Sequence, residues 1–333
     1  MRFGIIGTGA IAPINTRALM ACPEVEIVAV ANRTVTKAEA MCHDLGLTCP
    51  IYGDWREMLD TEKPDVAVIN LYNDLHKECF LYCAQAGIHI LVEKPLSNTY
   101  EECLEMMEAA KAHGVKAAVL HTQRYGEALQ TARAYIDSHR QQLGRLISVN
   151  DRMSCNYFWD GRNPWHLDPV RSGGGIVMNY GVHQLDRIHW LMDGQQTVRF
   201  HGNYVTAKPG IGTVSSYTML GVTGEGTAYT ATCNGYTAPF INEVDLVFVE
   251  GVVRCILTSN GQAEPGVYVC VDKASAFQKI DFVCENGDGG HLMYVREMTE
   301  ALDYLTGRRD TAPITLEWAA EMVRLCNLGF AED

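Results

Sequence analysis

The sequence predicts an α/β protein: a doubly wound parallel sheet first, then a second α/β domain whose sheet is mainly antiparallel. Three observations carry that expectation. Apolar strand-like runs alternate with helix-like segments through the first 120 residues of the 333. The first of those runs leads straight into a glycine-rich turn at residues 7–12. From 197 to 284 strand-like runs follow one another with turn residues and no helical pattern between them, as hairpin-connected antiparallel strands do.

The elements follow in order. The strand at 2–6 enters Gly7-Thr8-Gly9-Ala10-Ile11-Ala12, and a helix is expected over 11–21. Gly7 permits a tight turn, Gly9 lets a pyrophosphate approach the backbone, and Ala12 lets helix and strand pack closely. Pro13 suits the first turn of the helix. The pattern therefore predicts a dinucleotide site at residues 7–12; the competing reading is a glycine turn with a purely structural role. Further strands are expected at 25–31, 66–70, 88–92 and 116–120, with helices at 35–45, 54–60, 75–86 and 99–113. Gly87 stands where a helix C-terminus takes a left-handed residue, Thr99-x-x-Glu102 reads as a capping box, and Pro64-Asp65 introduces the strand at 66–70.

Beyond residue 122 the pattern changes. A helix at 127–139 precedes Gly144 and a strand at 145–152, then an aromatic, glycine-rich loop, then a helix over 176–192. The strand-rich stretch carries turns at Lys208-Pro209-Gly210, Gly224-Glu225-Gly226 and Asn260-Gly261, and helices at 291–306 and 315–330 close the chain. Two domains are expected, 1–122 for cofactor binding and 123–333 for substrate binding and oligomerisation, with no long linker and with a substrate cleft between them.

Composition narrows the function. An apolar content of 47% supports packed cores, and a formal charge of −13 disfavours nucleic acid or an anionic membrane as the main partner. The strand beginning at residue 2 leaves no room for a signal peptide, and no apolar run approaches a membrane span. The 12 cysteines are scattered without a C-x-x-C pair, which reads as reduced thiols in a cytoplasmic protein. His166 and Asp168 lack partners at ligand spacing, so no metal is expected.

Two further segments carry chemistry. Glu93-Lys94-Pro95 follows the strand 88–92, and in open parallel sheets ligands sit beyond the carboxyl ends of the strands. The Lys94 ammonium there could stabilise alkoxide character on a substrate oxygen; the competing reading is a surface lysine. Gly173-Gly174-Gly175 opens the helix bearing Asn179, His183 and Asp186, which at spacings of four and three share one face. His183 is suited to accept an alcohol proton, its reference pKa being about 6.5; the competing reading is a core histidine anchoring the helix.

Together, the nucleotide turn, Glu93-Lys94-Pro95 and the Gly-Gly-Gly-x-x-x-Asn-x-Gly-x-His-x-x-Asp helix make the whole chain resemble the glucose–fructose oxidoreductase / inositol dehydrogenase (Gfo/Idh/MocA) family. His76, Arg124-Tyr125, Gly144 and Trp165 extend the likeness. The resemblance implies an N-terminal Rossmann domain and a C-terminal α/β domain with an open, mainly antiparallel sheet. It implies hydride transfer between nicotinamide C4 and a hydroxyl or keto carbon of a sugar, polyol or related diol, with Lys94 and His183 as the catalytic pair. His183 would be base in oxidation and acid in reduction, and Lys94 would orient the substrate oxygen. Leu71 and Tyr72, in place of the family's common Thr-Pro, would line the nicotinamide with His76, Glu93 and Lys94. Asn179 replaces the usual Asp, so it would bind substrate or the cofactor amide rather than share a proton. Trp165-His166 replaces the common Trp-Arg.

The second strand ends at Asn32 where NAD readers place a carboxylate, and Arg33 and Lys37 follow. No carboxylate repels a 2′-phosphate and Arg33 offers a fork for one, which favours NADP; the competing reading has Asn32 on the ribose of NAD and Arg33 in solvent. The loop 156–166 interleaves aromatics with polar groups, as a carbohydrate site does, and Tyr157, Trp165 and Arg124 are expected to line it; the competing reading is a hydrophobic plug. Leu246, Phe248, Val253 and Leu257 are expected on an exposed sheet face that joins a homodimer or homotetramer, unless they face the domain's own helices. The rival to an enzyme is a dinucleotide-responsive sensor, disfavoured because Lys94 and His183 are both present.

Overall fold

The structure is a computed structural model that describes every residue except 208–209, 259–263, 272–275, 281–288 and 331–333. The turn pairs read at Lys208-Pro209 and Asn260-Gly261 lie outside the described residues. The chain forms two compact units, Met1–Thr122 with Gly290–Val323, and Gln123–Gly289 with Arg324–Asp333.

In the first unit, strands β1 (Arg2–Ile6), β2 (Glu26–Ala31), β3 (Ile51–Tyr52), β4 (Val66–Ile69), β5 (His89–Glu93) and β6 (Ala117–Leu120) alternate with helices α1 (Ala12–Met20), α2 (Val35–Leu45), α3 (Trp55–Glu62), α4 (His76–Gln85) and α5 (Tyr100–His113). The sheet order is β3-β2-β1-β4-β5-β6 and every pair is parallel. The order reverses at β1, so the crevice beyond the carboxyl ends of β1 and β4 is where such a sheet takes a ligand. Strand β3, two residues long, shows no period in the sequence and was not expected there. The expected signals otherwise have their physical counterparts: Gly87 has φ +73°, and the Thr99 side chain accepts from Glu102 N at 3.2 Å.

The second unit opens with α6 (Glu127–Leu143) and β7 (Leu146–Asn156). The helix expected over 176–192 is two elements: a π-helical turn, Val177–Gly181, and α7 (Val182–Leu191). Strands β8 (Thr197–Val205), β9 (Ser216–Thr223), β10 (Ala228–Asn234), β11 (Tyr236–Phe248), β12 (Gly251–Ile256), β13 (Gly266–Val271) and β14 (Gln278–Ile280) complete a sheet ordered β14-β13-β12-β11-β7-β10-β9-β8. Among the described strands of this sheet, β7 and β10 pair in parallel and the other neighbours antiparallel.

Helix α6 packs on β12 and β13, and α7 on β7 and β10. Along β11, buried Val244, Leu246 and Phe248 alternate with half-buried Glu243, Asp245 and Val247, the period of a one-faced core. This corrects the expected subunit face. Leu246, Phe248 and Val253 are buried within the chain, and Leu257 is half-buried, so the strand period turns them toward the unit's own interior. The opposite face carries the ion pairs Arg152–Glu243 and Arg254–Asp245.

The closing helices correct the expected domain extent. Helix α8 (Gly289–Thr306) buries Met298, Ala301, Leu302 and Leu305 in the same cluster as Phe3, Ile5, Val66, Leu91 and Leu120. Lys116 Nζ donates to Tyr304 O at 2.8 Å, and Val119 N to Ile314 O at 3.2 Å. Residues Gly290–Val323 therefore belong with the parallel sheet rather than with 123–289, and the division falls within α9 (Leu316–Leu328). An amphipathic pattern reveals that a helix buries one face without revealing against which sheet.

Candidate active site

The first group of functional side chains gathers at the carboxyl ends of β1, β2, β4 and β5. Gly7 has φ +87°, and a Cβ there would lie 2.5 Å from Asn70 O, so only glycine fits the turn. Gly9 differs. A Cβ there meets nothing within 4 Å and would stand only in the open space beside the backbone. Among the described residues no acceptor pairs with the N–H groups of Gly9, Ala10 and Ile11, which precede Ala12 at the start of α1. Unpaired donors, a positive helix end and room at Gly9 fit the pyrophosphate of a dinucleotide.

The Asn32 side chain accepts from Thr8 N at 3.3 Å and donates to Thr34 O at 2.8 Å, tying the end of β2 to the glycine turn. Arg33 and Lys37 beyond it are exposed.

Behind the turn lies a polar trio of which the sequence reading found one member. Asn15 Nδ2 donates to Asn70 Oδ1 at 2.9 Å and to Glu93 Oε1 at 2.8 Å. All three residues are buried. Asn15 carried a usable signal, being polar on the helix face shared with Ala12, Ala18 and Leu19; Asn70 carried none. Burial pushes the Glu93 carboxyl above its usual range, opposed by the Lys94 charge and the bond from Asn15. Lys94 follows, half-buried, and its N–H donates to Glu93 Oε2 at 3.2 Å.

His76 is fully buried, with Nδ1 2.9 Å from Pro95 O and Nε2 3.1 Å from Leu71 O. It ties the segment after β4 to the segment after β5. Burial holds the imidazole below its usual pKa, so near neutral pH it has one N–H to share between two carbonyls. His76 therefore supports the half-buried Leu71 and Tyr72 from behind.

The second group lies in the second unit. His183 is 8% exposed on α7, one turn after Asn179. Asn179 lies in the π-helical turn, which shifts it from the α-helical phase assumed for a face shared with His183 and Asp186. Asn179 Nδ2 is 3.4 Å from the Tyr157 hydroxyl. Tyr157 is 1% exposed and packs edge-on against Phe158 and Tyr180. Burial raises its pKa against the opposing charge of Arg162, so the phenol stays protonated. Trp165 is half-buried and stacks on His166 at 4.0 Å.

Arg124, expected to line the substrate site, is buried and engages Asp186 through Nε at 3.1 Å and through Nη2. Its guanidinium fixes α7 from the side of His183, three residues from Asp186. A parallel pair holds the same helix to the sheet: Arg187 Nη2 donates to Asp151 Oδ1 at 2.6 Å and Nη1 to Gln123 Oε1 at 3.0 Å. The glycine triplet serves the protein's own packing. A Cβ on Gly174 would lie 2.3 Å from Phe330 Cζ, and one on Gly175 would lie 2.1 Å from Thr213 Oγ1.

The comparisons with known proteins agree with this architecture. A family model described as an oxidoreductase family with an NAD-binding Rossmann fold matches residues 1–121, and the Gfo/Idh/MocA C-terminal domain model matches 129–254. The chain is 28% identical to D-xylose 1-dehydrogenase (NADP(+)) 2 of Haloferax volcanii over 53% of each chain. It is 26% identical to inositol 2-dehydrogenase/D-chiro-inositol 3-dehydrogenase of Halalkalibacterium halodurans over 59% of this chain and 53% of that one. The chain thus spans about half the length of the curated relatives it matches. A levoglucosan dehydrogenase solved with NADH and levoglucosan shares the fold, with TM-score 0.87 at 18% identity over 99% of this chain and 96% of the other. With both halves of the family pattern present in order, the chain belongs to the Gfo/Idh/MocA oxidoreductase family.

Proposed function

We propose that the protein is an NAD(P)-dependent dehydrogenase or reductase acting on a hydroxyl or keto carbon of a sugar, polyol or related diol. One observation carries this reading: the unpaired N–H groups of Gly9, Ala10 and Ile11 open on the same sheet edge at which β5 ends in Glu93 and Lys94. The glycine turn, Asn32, Leu71, Tyr72 and His76 would hold the dinucleotide. The nicotinamide, when bound, supplies a two-electron hydride acceptor or donor at C4.

The residues do the rest. Lys94 donates to the reacting oxygen and stabilises its negative character. His183 takes the proton in oxidation and returns it in reduction. Asn179 cannot ionise, so it orients by hydrogen bonding alone, and its link to the Tyr157 hydroxyl suits that task. Replacing Lys94 by Ala should leave cofactor affinity within about twofold by fluorescence titration while lowering kcat by about two to four orders of magnitude on a sugar and polyol panel. A wild-type protein that binds cofactor tightly and turns over nothing in that panel would instead be a dinucleotide-responsive sensor.

NADP is the favoured cofactor because exposed Arg33 and Lys37 follow β2 where no carboxylate stands. Arg33→Ala should raise KM for NADP on the order of tenfold and leave KM for NAD unchanged. An unchanged NADP constant would remove Arg33 from the 2′-phosphate.

A further inference from the structure

We propose that Arg162 binds an anionic group on the substrate, so that the substrate is an acidic sugar or polyol rather than a neutral one. The inference rests on the dehydrogenase reading above and names the substrate class of the same site. Arg162 stands in the loop between β7 and the glycine triplet, half-buried, its guanidinium carbon 3.5 Å from the centre of the Tyr157 ring. Among the described residues its buried Nε has no hydrogen-bond partner and no carboxylate pairs with it.

Its neighbours in the second unit behave differently. Arg124, Arg133, Arg140, Arg152, Arg187 and Arg254 each engage an acid. Asp160, two residues away, is exposed and, among the described residues, forms no ion pair. A partly desolvated cation without a counter-ion is costly unless a ligand supplies one.

Position then decides what that ligand is. The guanidinium carbon sits over the Tyr157 ring, and a guanidinium is the group that matches a carboxylate or phosphate in two parallel bonds. The platform is rigid, since Tyr157 is held by Phe158, Tyr180 and the ring of His166. Its hydroxyl meets Asn179, and Asn179 precedes His183 by one helical turn. The fork is thus one aromatic ring away from a residue beside the proposed base. A hydroxy acid would then be oxidised at one carbon while its carboxylate or phosphate sits on Arg162.

The test compares matched ligands on the protein saturated with reduced cofactor. By calorimetry, D-gluconate and D-glucuronate should bind on the order of tenfold tighter than sorbitol and D-glucose to the wild type. Arg162→Gln should erase that ratio without changing the neutral ligands, and Arg162→Lys, which keeps the charge but not the planar fork, should retain part of it. Glucose 6-phosphate binding better than gluconate assigns the anion as phosphate; the reverse assigns carboxylate. Equal binding of acids and neutral partners by the wild type, or an unchanged ratio in both variants, overturns the proposal. Turnover separates the two readings. Loss of acid preference in a protein that oxidises nothing overturns the dehydrogenase and keeps Arg162 as an anion site. Equal kcat/KM on acids and neutral polyols in wild type and variants keeps the dehydrogenase and removes Arg162.

Discussion

The parallel-sheet unit and the mixed-sheet unit solve the same problem, holding polar groups out of water, by different means. The first uses hydrogen bonds: Asn15 bridges Asn70 and Glu93, and His76 sits between two carbonyls. The second uses full charges, with α7 clamped by Arg124–Asp186 and Arg187–Asp151. In the first, the N–H groups of Gly9, Ala10 and Ile11, without an acceptor among the described residues, put positive character at the sheet edge, and the backbone supplies it. In the second, side chains place His183, and two buried ion pairs fix the helix that bears it. Buried pairs of this kind specify geometry more than they stabilise, because each charge gives up its hydration to form them.

The sharpest way to break the contrast is to remove one partner from each network. Arg187→Met leaves Asp151 charged and buried at 1% exposure, which should cost about 3–5 kcal/mol in urea unfolding. Asn15→Ala leaves two acceptors with a lost donor and should cost about 1–3 kcal/mol. Equal costs would mean that charge is not what distinguishes the two units.

The two glycines of the turn sharpen it next. Gly7→Ala meets Asn70 O at 2.5 Å with φ +87°, so it should lower stability by about 1–3 kcal/mol and lose cofactor binding as well. Gly9→Ala meets nothing, so thermal unfolding should move little while dinucleotide affinity falls on the order of tenfold. A Gly9→Ala protein with unimpaired cofactor affinity would show that the pyrophosphate does not pass there.

How much of this was legible in the sequence follows the same divide. The glycine turn, Glu93-Lys94 and the strand–helix alternation are local patterns, and the structure has them where they were read. Asn32 was read as a cofactor-binding residue; that its amide also ties Thr8 to Thr34 is something no spacing reveals. Arg124 was legible as important, but not its bond to Asp186, which lies 62 residues away. The π-helical turn at Asn179 and the packing of Phe330 on Gly174 likewise depend on contacts distant in sequence. Arg162 stood in plain view within an aromatic run, but that no carboxylate among the described residues pairs with it is a fact about three dimensions.

The smallest effect tests the hydrogen-bonded half by pH. Burial raises the folded-state pKa of Glu93 above its usual value near 4.5 and lowers that of His76 below 6.5. For Glu93 the folded protein binds the extra proton, so its contribution is fully present below pH 4.5 and is lost as pH rises through the raised value. For His76 the unfolded chain binds the extra proton, so its contribution is fully present above pH 6.5 and is lost as pH falls below it. The two slopes oppose each other and partly cancel in mildly acidic solution. Glu93→Gln removes one of them while leaving an oxygen to accept from Asn15. The Tm of that variant should therefore climb more steeply than wild type from pH 5 to 6.5 and stand slightly higher at pH 7. A Glu93→Gln profile parallel to wild type would mean that Glu93 is ionised in the folded protein at every pH tested. The trio behind the glycine turn would then hold a full charge, as the clamps on α7 do.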